Sequence, residues 1–149
     1  MATDQPCPKL VPAGEGRVLH VLGETLVCKV VGGETGGAYA LLEIQTPPQV
    51  GPPMHVHRRE DEGFYVLGGT YELRVGGQVL RTSTGTFVFG PRGIPHSYLS
   101  EGPAPGRQLA TITPAGFERF FEELSRLPPS PPDLEALKGI ARKYDLVFA

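Results

Sequence analysis

The chain has 149 residues, a formal net charge of −2 and a hydrophobic share of 40%. That excludes an intrinsically disordered chain and leaves ample length for a core. A pI near 6.1 gives no basic field for nucleic acid, and no stretch approaches the ~20 apolar residues of a membrane helix.

Glycine (20) and proline (16) are spread between short apolar runs, the punctuation of an all-β protein. After a Pro- and Gly-containing start, residues 17–22 and 25–31 read as two strands around Gly23-Glu24. His20 falls in the first without a partner two residues away and reads as structural or surface. Cys7 and Cys28 lack Cys-x-x-Cys spacing and read as ordinary thiols. Residues 32–37 read as a flexible turn, and 38–45 as a third strand with Leu42 and Ile44 on one face and Tyr39, Leu41 and Glu43 on the other. Further strands are predicted at 64–67, 70–75, 78–81, 86–89, 94–99 and 108–113, with Gly76-Gly77 closing a tight hairpin. The count is eight to ten short antiparallel strands, a sandwich or barrel. Apolar residues at 117, 120, 121, 124 and 127 then follow the spacing of a helix face. Prolines at 128–132 stop that helix, and Asp133 or Ser130 caps a second one. Residues 144–148 add a short edge strand. The expected organisation is one domain over 1–149, with a barrel over about 16–113 and a helical extension over about 115–149.

Chemistry concentrates between Gly51 and Gly69. His55 and His57 lie two apart in an extended stretch, so both imidazoles face one way, about 7 Å apart along the strand. That separation suits two rings converging on one ion, with a carboxylate returning on the next strand. Glu60, Asp61 and Glu62 compete for that role. Alternation puts Glu62 on the face of Phe64 and Val66 and turns Asp61 away with Tyr65, so Glu62 is preferred and Glu60 and Asp61 are expected to be solvated. A second motif, from Gly85 to Ser100, holds Pro91, Gly93 and His96.

Together the two motifs resemble the paired motifs of the cupin superfamily, Gly-x5-His-x-His-x3–4-Glu-x6-Gly and Gly-x5-Pro-x-Gly-x2-His-x3-Asn. The match runs through His55, His57, Glu62 and Gly69, then Gly85, Pro91, Gly93 and His96. It departs at the leading glycine, whose place is taken by Gln49 with Gly51 nearby, and at the closing asparagine, which is Ser100. The resemblance implies a small jelly-roll barrel with one divalent transition metal ion held by His55, His57, Glu62 and His96. Three imidazoles and a carboxylate suit Fe, Mn, Ni, Co, Cu or Zn and leave coordination positions open.

Strand phase puts Ile94 and Tyr98 on the face of His96 and Phe64 on that of Glu62, with Tyr39 and Leu41 added from the neighbouring strand as pocket residues. The stripe of Phe117, Phe120 and Phe121 covers the core or closes the barrel mouth. An aromatic lining favours a small oxygen-bearing, partly aromatic substrate over a sugar phosphate. The resemblance to quercetin dioxygenase-like cupins implies a metal-dependent oxygenase in which Glu62 also accepts the substrate's proton. A metal-dependent isomerase or epimerase, or a non-catalytic small-ligand-binding module, is the alternative. No attached effector domain is recognised, which favours an enzyme. The first residues show no apolar run of a signal peptide, so the expected location is cytoplasmic. The expected partners are a small molecule and a second copy of the chain, paired through the strand at 17–22, with no nucleic acid and no membrane.

Overall fold

The computed structural model describes residues 6–128 and 133–149. The proline run expected to stop the first helix falls partly at 129–132, as does Ser130, and both lie outside the described residues. Two antiparallel sheets face each other. One holds β1 (Arg17–Val21), β2 (Glu24–Val30), β3 (Ala40–Thr46), β5 (Asp61–Gly68), β8 (Phe87–Gly90) and β10 (Gly106–Thr113), in the order β1-β2-β3-β10-β5-β8. The other holds β4 (His55–His57), β6 (Tyr71–Val75), β7 (Gln78–Arg81), β9 (His96–Ser100) and β11 (Leu146–Phe148), in the order β11-β4-β9-β6-β7.

Alternation sets the core. Leu42 and Ile44 on β3, Phe64 and Val66 on β5, and Ala110 and Ile112 on β10 point inward from the first sheet. Tyr71, Leu73 and Tyr98 meet them from the second. Truncating a buried leucine such as Leu42 to alanine would cost about 2–5 kcal/mol. Gly76-Gly77 forms the expected two-residue hairpin, with Val75 paired to Gln78.

Residues 32–37 depart from the sequence reading. Gly32–Thr35 forms a single helical turn, α1, because the Glu34 carboxylate accepts from the Val31 backbone N–H at 3.1 Å and Gly36 ends the turn at φ 66°. The C-terminal helices are α2 (Glu118–Ser125) and α3 (Leu134–Lys143). Asp133 caps α3 by accepting from the Glu135 N–H at 3.1 Å. Phe117, Phe120 and Leu124 bury one face of the α2 segment, and Leu137 and Ala141 bury one face of α3. The chain then returns as β11, whose Leu146 and Phe148 pair with His57 and His55. The C-terminal segment thus covers what would otherwise be an open edge of the histidine strand. Among the described residues, no helix is long and apolar enough to cross a membrane.

Candidate metal centre

Both sheets contribute to one cluster. His55 on β4 sits directly opposite His96 on β9, and His57 follows on the same face. Glu62 enters from β5 in the other sheet, paired there with Gly90 and Ile112. Gly93 ties the second motif to the first: its N–H donates to the His57 carbonyl at 2.7 Å, from a backbone at φ 78° that favours glycine. Gly51 is needed for close approach. A Cβ there would collide with the backbone of Tyr98 and Leu99, so the lead-in loop lies flat against β9 and sets the direction of His55.

The four candidate ligands are buried and their donor atoms lie within 4.8 Å of one another. Glu62 Oε2 is 2.8 Å from His96 Nε2 and 3.3 Å from His57 Nε2. An octahedral ion with bonds of about 2.1 Å spaces neighbouring donors about 3.0 Å and opposite donors about 4.2 Å apart. Small side-chain adjustments bring the cluster to those values, so the residues fit such an ion. The outer nitrogens agree. His55 Nδ1 is 2.7 Å from the Pro53 carbonyl and donates to it, and His96 Nδ1 is 3.4 Å from the Ile94 carbonyl. Each contact favours the tautomer whose Nε2 lone pair faces inward.

Charge in the ion-free cluster is uneven. Burial holds His55 down at about 4, so it is neutral. Burial pushes His57 down too, but Glu62 and Glu60 together outweigh it and hold that imidazole at about 9. Glu62 is buried, which works to raise its carboxyl, yet His57 and His96 keep it well below the usual carboxylate range. Without an ion, a proton on His57 therefore takes part of the place of the positive charge.

Glu60 corrects the sequence reading. It is not solvated: it is 5% exposed, and its Oε2 lies 3.6 Å from His57 Nδ1, beyond hydrogen-bond length but within ion-pair reach. The turn between β4 and β5 folds back, and the three-residue separation brings Glu60 against the outer edge of the ring. Asp61 does turn outward and binds Arg92 through both oxygens, at 3.1 and 3.0 Å. Arg107 is similarly taken up by Glu43 at 2.8 Å.

The cluster opens into a cavity of about 160 Å³. Its walls include His55, His57 and Glu62, with Phe64 and Tyr98 among the predicted pocket residues. Tyr39, Leu41 and Ile94 do not line it. On β3 the inward face is that of Leu42 and Ile44; Leu41 turns outward, and Tyr39, which precedes the strand, is 42% exposed, both beside a surface groove. Ile94 is 39% exposed because it lies in the turn before β9, where alternation does not yet hold. The phenylalanine stripe supplies the cavity's cover: Phe117, Phe120 and Phe121 all line it, and the Phe117 ring meets His57 edge-on at 4.3 Å.

Sequence reasoning missed Glu24, which lines the same cavity and is 8% exposed. The sequence reading places it with Gly23 in the turn between two strands. Extending the β2 alternation back from Cys28 and Leu26 by one step would have placed it inward.

A family model described as a cupin domain matches residues 42–112, the stretch that carries all four ligands. That stretch is a cupin domain. Quercetin 2,3-dioxygenase of Bacillus subtilis (strain 168) is 30% identical to this chain over 92 residues, 61% of this chain and 27% of that protein. The chain thus spans about a quarter of the length of that curated relative. The structure of KdgF from a Halomonas species superposes with a TM-score of 0.67 at 17% identity, covering 76% of this chain and 99% of that one. The polyketide cyclase RemF from Streptomyces resistomycificus superposes at 0.62 and 21% identity, covering 72% and 80%. At these identities the two structures establish the shared jelly-roll fold.

Proposed function

We propose that this protein is a metal-dependent oxygenase acting on a small phenol or enol of about one ring. The observation that carries the reading is a three-histidine, one-carboxylate cluster beside a phenylalanine-covered cavity whose wall includes His55, His57 and Glu62. His55, His57, His96 and Glu62 would hold the ion, which when bound supplies Lewis-acid polarisation of a substrate oxygen and a binding place for dioxygen. The ionised state of Glu62 suits a ligand. Its depressed pKa makes it a weak base, so the proton-accepting role implied by the resemblance is the less favoured one.

Cavity size narrows the substrate. A cavity of about 150 Å³ holds a benzene-sized ligand, and this one is about 160 Å³. A three-ring flavonol exceeds it, so quercetin itself is not the expected substrate despite the relative's name. The aromatic cover from Phe117, Phe120 and Phe121 excludes water from a bound ring and favours apolar contact with its face. Arg92 and Arg107 are occupied by Asp61 and Glu43, which argues against a phosphorylated ligand.

The test is elemental analysis of purified protein, then oxygen uptake after reconstitution with each candidate ion, using monocyclic phenols and diketones beside a flavonol. Uptake with a one-ring compound and none with the flavonol is expected. Turnover without oxygen uptake would replace this reading with Lewis-acid isomerisation or cyclisation. Tight retention of an unreacted small ligand, with no turnover under any ion, would make the chain a binding module.

A further inference from the structure

The cavity has a second polar place that the four-ligand cluster does not use. Glu24, at the start of β2, lines it together with Tyr98, Phe64 and Glu62. Its carboxylate is held by two hydroxyl donors: Tyr98 donates at 2.8 Å to Oε2 (3.0 Å to Oε1), and Thr46 donates to Oε2 at 2.7 Å. Tyr71 extends the chain by donating to the Thr46 hydroxyl at 3.1 Å. Thr46 and Tyr71 are fully buried.

We propose that Glu24 is a substrate-recognition residue, accepting a hydrogen bond from a neutral hydroxyl of a one-ring ligand whose other oxygen lies at the four-ligand cluster. This rests on the oxygenase reading for the second contact and adds to it the substrate class: a ring carrying two separated oxygens, one of them an O–H donor. Three observations support it. An ionised carboxylate offers about four acceptor sites, and two hydroxyl donors leave acceptor capacity on a group that lines the cavity. Tyr98 and Thr46 fix that carboxylate before any ligand arrives, so little ordering is needed on binding. Tyr98, whose hydroxyl holds Glu24, lies two residues beyond His96 on the same face of β9, about 7 Å along the strand, so neighbouring inward side chains of one strand serve the two polar places and both open on one cavity. Burial raises the Glu24 carboxyl above its ordinary value, and the bonds from Thr46 and Tyr98 offset only part of that rise.

The test compares binding of resorcinol and hydroquinone with 3- and 4-fluorophenol to zinc-loaded protein under argon, read as dissociation constants from NMR titration. Fluorine matches a hydroxyl in size but cannot donate. The better diol should bind roughly tenfold to a hundredfold more tightly than its fluorophenol. Glu24→Gln should cut that ratio by roughly five- to tenfold and leave fluorophenol binding little changed. If Glu24→Gln does not fold, Glu24→Asp, which draws the carboxylate back by one methylene, supplies the same comparison. A wild-type ratio near one, a ratio unmoved by the substitution, or no saturable binding of either diol would overturn the proposal. Oxygen uptake is not read here. Glu24-dependent binding without oxygenase activity therefore keeps this inference and sinks the oxygenase reading, and turnover with a Glu24-independent ratio does the reverse.

Discussion

Replacing Glu62 by glutamine in the ion-free protein should unmask how its charge is balanced. His57 is 1% exposed, with Glu62 Oε2 3.3 Å from Nε2 and Glu60 Oε2 3.6 Å from Nδ1. Burial alone would lower its pKa; the carboxylates raise it to about 9. A histidine raised above its unfolded value of about 6.5 adds stability that is complete below 6.5 and is lost as pH rises through 9. At about 1.36 kcal/mol per pH unit, that rise is worth on the order of 3 kcal/mol. Glu62→Gln removes the nearer negative charge, so burial dominates and the proton leaves His57. Part of the loss is offset because a buried carboxylate no longer has to be desolvated, which makes 3 kcal/mol an upper figure. The variant should be less stable than wild type at pH 6 and closer to it at pH 10, in urea denaturation with chelator present. NMR titration of His57 in the wild type should give a midpoint well above 6.5, and in Glu62→Gln one well below it. A wild-type midpoint at or below 6.5, or an equal stability difference at both pH values, would refute the reasoning.

Glu60→Gln should weaken binding of zinc or cobalt by about tenfold to a hundredfold, because the buried carboxylate beside Nδ1 orients His57 and raises its basicity; unchanged affinity in a chelator competition would count against that role. Gln49 takes the place of the motif's leading glycine and holds φ at 61°, a backbone region that disfavours side chains. Gln49→Gly should therefore raise stability by up to about 1 kcal/mol, net of glycine's greater unfolded-state entropy, and a lower thermal midpoint would contradict it. β1 lies at the edge of its sheet, and we propose that two copies pair there; sedimentation showing only monomer at micromolar concentration would exclude the dimer.

Much of the site was legible because its information is local. A period of two carries His55 and His57 to one face, and the same alternation separates Glu62 from Asp61. Motif spacing then pointed to His96, because a strand-turn-strand of fixed length leaves little freedom in where that residue lands. Tyr98 takes its inward place on the same basis, and alternation put Leu42 with Ile44 on one face of β3 without saying that this face is the inner one. Alternation failed where it was carried past a strand's end, at Ile94, and where the inner of two apolar faces had to be chosen, at Leu41.

What the tertiary structure decided are the relations between elements. Glu60 is buried because a turn folds back onto the ring of His57, and no periodicity describes a turn. Glu24 becomes a cavity residue because β2 faces Tyr98 across the two sheets. Phe117 reaches His57 because α2 and the C-terminal segment close over the barrel, and β11 then pairs along the histidine strand. Cavity size follows from all of these together, since it is the space left after side chains from both sheets and α2 have packed. The local pattern therefore determined which groups can bind an ion, and long-range packing decided how large a ligand can lie beside it and which second polar group that ligand meets.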